Sequence, residues 1–159
     1  MRIEVFGDGV DRTSRPNCSA KVSCRGIIEK DNSILVVHLL KQNLYNLPGG
    51  GREANETLEQ CAIREVLEET GYFVSVVEPT VTVVEYYPDS IWETHFFKCR
   101  LLDENPRMTS PTQEEKDALM TAEWVDRYAL LELLDSVVST HPNASNIHNR
   151  EMLGLLNSL

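Results

Sequence analysis

Apolar residues along the chain change their rhythm twice. Ala20 to Ile28 and Ser33 to Leu40 are rich in Val and Ile and break at Glu29-Lys30-Asp31-Asn32, which predicts two strands joined as a hairpin. From Leu58 the spacing becomes helical, with Leu58, Ala62 and Val66 on one face as core contacts. β-branched and aromatic residues return in Phe73 to Val77, Thr80 to Tyr87 and Trp92 to Leu102, separated by Glu78-Pro79 and Pro88-Asp89-Ser90, and these read as further strands. Ala129 to Val137 is a leucine-rich helical pattern, and Asn149 to Leu156 predicts a short closing helix. Helices before and after strands predict an α/β/α sandwich around a mixed sheet. Ile3 to Phe6 is a strand-like segment that either joins this sheet or pairs with a second copy of the chain, so a homodimer stays open.

Two stretches rich in Pro, Ser, Thr, Asp and Asn, Gly9 to Asn17 and Asn105 to Gln113, read as surface connections. There is no internal repeat, and 159 residues fit a single domain spanning 1–159. The composition, 42% hydrophobic and 25% charged, is globular. No run approaches the roughly 20 apolar residues needed to cross a bilayer, and the first residues lack a secretory leader, so a cytosolic location is expected. Cys18, Cys24, Cys61 and Cys99 show neither a Cys-x-x-Cys pair nor zinc-finger spacing, and are expected as free thiols.

A net charge of −10 repels a long nucleic acid, and no dense Lys/Arg cluster offsets it. A small anionic partner would need a metal ion, and one segment concentrates acid where such an ion could sit. It opens with Leu47-Pro48-Gly49-Gly50-Gly51, expected as a bare loop that lets another chain or a ligand approach closely. Thr57 with Gln60 forms a capping box, and Gly71 supplies a left-handed stop, so a helix is predicted over about Leu58 to Thr70. Glu65, Glu68 and Glu69 then stand at i, i+3 and i+4 on one face. Like charges at that spacing cost roughly 0.2–0.5 kcal/mol per pair, with Arg64 as the only basic neighbour in reach. A hard divalent cation would turn that repulsion into ligation, and Mg²⁺ commonly binds through carboxylates plus substrate phosphates.

Gly50, then Glu56, then Arg64-Glu65-Val66-Leu67-Glu68-Glu69-Thr70-Gly71-Tyr72, at these spacings, closely resembles the Nudix box of the Nudix hydrolases. Eight of its nine specified positions match; Tyr72 stands where that family usually has an aliphatic residue. Leu47-Pro48-Gly49 and Glu53 are similar to the family too. The resemblance implies a Nudix-type fold and a pyrophosphohydrolase using Mg²⁺, with Mn²⁺ as a substitute. It implies that Glu65, Glu68 and Glu69 ligate the metal, that Arg64 and Glu56 orient them, and that Gly49, Gly50 and Gly51 offer backbone groups and room. It implies a further base or ligand from a loop ahead of the last helix, where Glu114, Glu115 and Asp117 lie.

The implied substrate is a small nucleotide: a nucleoside triphosphate, a dinucleoside polyphosphate, ADP-ribose or a nucleotide sugar. A nucleotide sensor without turnover and an RNA 5′-end pyrophosphohydrolase are the rival readings; the intact acidic cluster opposes the first and the net charge the second. Tyr45, Tyr86, Tyr87, Trp92 and Phe96 either stack on a base or pack within the sheet. Pro88, sixteen residues after Tyr72, is similar to a marker of the ADP-ribose pyrophosphatase subgroup, and equally makes a turn. The four histidines are scattered and carry no assignment.

Overall fold

The structure, a computed structural model, describes residues 1–158. In chain order the elements are β1 (Arg2–Phe6), β2 (Lys21–Lys30), β3 (Ser33–Leu39), β4 (Leu44–Asn46), β5 (Gly49–Gly51), α1 (Leu58–Thr70), β6 (Val74–Tyr87), β7 (Ser90–Leu101), α2 (Gln113–Asp117), β8 (Met120–Asp126), α3 (Arg127–Ser136) and α4 (Ala144–Leu156). The strands form one mixed sheet in the order β1-β6-β7-β2-β3-β4, with β5 added to β2 and β8 to β3. β1 runs parallel to β6 and β2 parallel to β7, while the other pairings are antiparallel. Ile3 to Phe6 therefore belongs to this chain's own sheet, against Val83 to Tyr86.

Strand alternation sorts the core into two layers. Cys24, Ile28 and Leu35 face α1, where they meet Cys61, Ala62 and Val66. Ile27, Ile34 and Val36 point the other way, onto Leu130 and Leu134 of α3 and Leu155 of α4. The sheet is thus covered by helices on both faces, the α/β/α sandwich expected. All four cysteines are free thiols.

Several elements differ from expectation. The hairpin turn narrows to Asp31 and Asn32, both in the left-handed region at φ 49 and 63, which lets the strands run right up to it. Glu78-Pro79 does not divide two strands: β6 is continuous and absorbs the proline through register shifts at Val76/Glu78 and Pro79/Thr82. The glycines after Pro48 are not a free loop, because Gly49–Gly51 pairs with Ser23–Arg25 as a short strand. β4, α2 and β8 had no anticipated counterpart, Gln113 opens α2, and the closing helix starts five residues early, at Ala144. The stretch after Asn105 carries no strand or helix until Gln113, but it is tied down: Arg107 N donates to Gly71 O at 2.7 Å and Ser110 N to Glu68 O at 2.7 Å. That zip hangs the approach to α2 on the end of α1.

Candidate active site

α1 begins and ends where its capping chemistry dictates. Thr57 accepts from Gln60 N, the Gln60 side chain accepts from Thr57 N at 2.8 Å, and Gly71 closes the helix at φ 78 with its N–H on Leu67 O. Tyr72, the one departure from the box, has a local use: its hydroxyl accepts from Trp124 Nε1 at 3.2 Å, with the rings edge to face at 5.6 Å. Tyr72→Phe is expected to strand that indole N–H and lower stability by about 1 kcal/mol, read by thermal unfolding.

Arg64 is the hub of the acidic face. Its Nε and Nη2 grip Glu56 at 3.0 and 2.7 Å, its Nη1 donates to Glu65 at 2.8 Å and Glu68 at 3.2 Å, and Nη2 also reaches Gly51 O at 3.0 Å. Glu53 lies 3.8 Å from the same guanidinium. The bidentate hold on Glu56 keeps that carboxyl at a pKa of about 2. The predicted Arg64-to-Glu68 approach is therefore real, but it is one contact among several. Among the described residues no three His, Cys, Asp or Glu side chains already converge as a cation cage, since Arg64 sits against Glu65 and Glu68.

Glu69 is placed differently. Its only hydrogen bond among the described residues is from Gly49 N at 3.0 Å, and burial pushes its pKa up to about 8, against the opposing pull of Arg25 and that amide. Burial also raises Glu65. Gly50 lies flat on the Glu65 carboxyl, where an added Cβ would stand 2.6 Å from its carbon. Gly49 thus meets Glu69 and Gly50 meets Glu65, while nothing lies within 4 Å of a Cβ built at Gly51.

Glu114, Glu115 and Asp117 lie on the short helix α2, capped by Thr112, rather than on a loop, and Glu115 is the one aimed inward. Its negative charge contributes to the rise at Glu69, and its Oε2 is buried without a partner among the described residues. Glu114 is exposed, and Asp117 accepts from Gln113 Nε2 at 2.9 Å. All three line a cleft of about 510 Å³ together with Lys41, Gln42 and His141. A second cavity of about 480 Å³ shares His141 and is walled by Tyr87, Trp92, Asn143, Asn146 and Arg150.

The aromatic candidates divide accordingly. Phe96 is core, Tyr86 is buried with its hydroxyl on Glu4, and Tyr45 stacks on His38 at 4.0 Å; Tyr87 and Trp92 wall the 480 Å³ cavity. Pro88 forms the two-residue turn with Asp89 between β6 and β7. His38, His95 and His148 are engaged with Glu123, Glu93 and Tyr45 N. Four charged residues near the site carried no motif: Arg25, Glu85, Arg150 and Glu151. The one available signal was Arg25, which by alternation shares a strand face with Ile27 and so points into the sandwich.

Fold and site together define an α/β/α-sandwich protein built around a glycine strand, an acidic helix and a tied-down loop. The NUDIX domain model matches residues 20–144, and the chain belongs to that family. It is 43% identical over 58 residues to the ADP-ribose pyrophosphatase of Methanocaldococcus jannaschii, covering 35% of this chain and 34% of that one. A Bacillus subtilis relative named as a proposed 8-oxo-dGTP diphosphatase is 41% identical over 46 residues, 29% of this chain and 31% of that one. The chain spans between 24% and 37% of the length of the curated relatives it matches. Among solved structures, a NUDIX hydrolase from Nitrosomonas europaea superposes with a TM-score of 0.62 at 19% identity, covering 86% of this chain and 90% of that one. An ADP-ribose pyrophosphatase from Streptococcus suis gives 0.56 at 20%, covering 88% and 92%. No helix among the described residues is long and apolar enough to cross a membrane.

Proposed function

We propose that the chain is a divalent-cation-dependent hydrolase of a phosphoanhydride bond in a nucleoside diphosphate linked to a further group. One observation carries this reading: Glu65, Glu68 and Glu69 share a helix face packed under a glycine strand, and among the described residues Glu69 has no cation within hydrogen-bonding distance. The orphaned Oε2 of Glu115 and the bare cradle at Gly50 fit a hard cation with oxygen ligands. Glu65, Glu68 and Glu69 would hold it, with Glu115 as the further carboxylate.

When bound, Mg²⁺ neutralises the diphosphate and lowers the pKa of water. The chain's own residues do the rest. Arg64 fixes Glu65 and Glu68 in one orientation and is itself fixed by Glu56. The Gly49 amide holds one oxygen of Glu69 and leaves the other free. Glu115 or Glu69, each a half-buried carboxylate, takes the proton of the attacking water. The nucleoside belongs in the cavity walled by Tyr87 and Trp92, where rings stack and Asn143 and Asn146 supply both donors and acceptors. His141, common to both cavities, lies where this portion meets the phosphates.

ADP-ribose, 8-oxo-dGTP, nucleotide sugars and dinucleoside polyphosphates are the substrates to screen for Mg²⁺-dependent release of phosphate or nucleoside monophosphate. Turnover of at least one, abolished by EDTA, is expected. Nucleotide binding with no release from any of them would replace this reading with that of a sensor.

A further inference from the structure

Behind the glycine strand lies a chain of four charges, Arg25, Glu151, Arg150 and Glu85, the last three of them buried. Arg25 of β2 stands opposite Gly49 in the β2–β5 register, and its Nη1 donates to Leu47 O at 3.1 Å and Gly49 O at 2.8 Å. Gly26 N takes the carbonyl between them, Pro48 O, at 2.9 Å. Every carbonyl from Leu47 to Gly49 is thereby held from β2. The next group along is Glu69, whose oxygen takes the Gly49 N–H at 3.0 Å. Both faces of Gly49 are occupied: one peptide group is pinned by Arg25 and the other holds Glu69.

Arg25 is held in its turn. Its Nε lies 3.6 Å from Glu151 Oε1, and Glu151, on α4, has no solvent exposure. Arg150 Nη2 donates to the same oxygen at 2.5 Å, Arg150 Nη1 lies 3.9 Å from Glu85, and Tyr87 donates to Glu85 at 2.9 Å. Two guanidiniums and two carboxylates balance in sign, but Arg25 Nε, Arg150 Nε and Glu151 Oε2 lack hydrogen-bond partners among the described residues. Buried pairs this imperfectly satisfied return little net stability for the desolvation they require. Their geometric effect is specific: they anchor a guanidinium from the opposite layer of the sandwich onto the one strand that touches a candidate metal ligand.

We propose that Arg25 is a positioning residue for Glu69, acting through Gly49, and that Glu151 holds Arg25 in place. Arg25 touches neither metal nor substrate. The inference rests on the proposed hydrolase reading, in which Glu69 is a ligand.

The test uses Arg25→Met, which keeps the stem and removes the guanidinium, with Arg25→Lys and Glu151→Gln beside it. Mn²⁺ binding to the free protein is followed by electron paramagnetic resonance, and kcat and KM are measured on whichever nucleotide the screen identifies. Loss of an outer-shell partner typically weakens metal affinity or activity by about 10- to 100-fold, and Arg25→Met should lose that much in kcat and in Mn²⁺ affinity, with KM within about twofold. Arg25→Lys should recover part of both losses, since an ammonium reaches one carbonyl, and Glu151→Gln should move both in the same direction by less. Thermal unfolding monitors the fold; if Arg25→Met does not fold, Arg25→Lys carries the test, with a lowered kcat at an unchanged melting temperature as the expected result. Wild-type kcat and Mn²⁺ affinity in the folded variants overturn the proposal, as does a loss confined to KM, which would make Arg25 a substrate contact. Wild-type protein that binds no Mn²⁺ defeats the metal reading itself, whereas equal binding by wild type and variants defeats only the role of Arg25.

Discussion

Glu69→Gln is expected to lower kcat by about a hundredfold to a thousandfold while raising the melting temperature of the metal-free protein at neutral pH. The two effects share one cause. Glu69 is a carboxylate held in a half-buried position with a single amide for a partner, so its charge is costly in the fold and available to a cation. Its folded pKa, about 8, lies above the ordinary carboxylate value of 4.5. Below the lower value both folded and unfolded states are protonated, and the group contributes no pH dependence. Between the two the unfolded chain is ionised and the folded one keeps its proton, so stability falls as pH rises through this window. Gln has nothing to titrate. The gap in melting temperature between Glu69→Gln and the parent should therefore widen from pH 5 to pH 8 in EDTA, and should close when Mg²⁺ is added, because a bound cation favours the charged form. Calorimetry across that range, with kcat at saturating Mg²⁺, checks both halves. Wild-type turnover in Glu69→Gln, and in Glu68→Gln beside it, would remove the carboxylates from the chemistry; a gap independent of pH would mean that Glu69 is ionised without penalty.

The parts of the site that local chemistry determines could be read before any fold was known. Thr57, Gln60 and Gly71 set the ends of α1 by hydrogen bonds within a few residues, so the shared face of Glu65, Glu68 and Glu69 followed. What could not be read is set by partners distant in the chain. β8 alternates weakly and is a strand because Met120 to Asp126 pairs residue by residue with Leu39 to Ser33. α4 begins at Ala144 although Asn143 provides no side-chain cap, so its first turn depends on packing rather than on a local signal. Glu151 and Arg150 look like ordinary helix-surface residues, and only the closure of α4 over β4 and β6 buries them. Gly49–Gly51 contains the turn-like residues that suggested a loop. It is a strand because the absence of Cβ lets it press against Cys24 and Arg25, an advantage visible only once β2 lies beside it.

That close approach makes the three glycines separable by experiment. An alanine Cβ at Gly49 would sit 2.0 Å from Cys24 O and 2.8 Å from Arg25 Cα, both backbone atoms locked in the β2–β5 ladder. Neither can yield without opening the ladder, so Gly49→Ala should cost about 3 kcal/mol or more. For a domain of this size that is a fall of roughly 6–12 °C in melting temperature. At Gly50 the obstacle is the end of the Glu65 side chain, at 2.6 Å, which can swing away. Gly50→Ala should therefore keep the fold and lose at least about tenfold in kcat, because the methyl expels Glu65 from beneath the strand. At Gly51 nothing lies within 4 Å and no left-handed backbone is required, so Gly51→Ala should match the parent in both stability and turnover. Thermal unfolding and kcat on the three purified variants decide the matter. If Gly50→Ala is fully active, Glu65 does not act from its place under the glycine strand. If Gly49→Ala melts with the parent, the strand is free to lift from β2, and neither its amide nor Arg25 can be what holds Glu69.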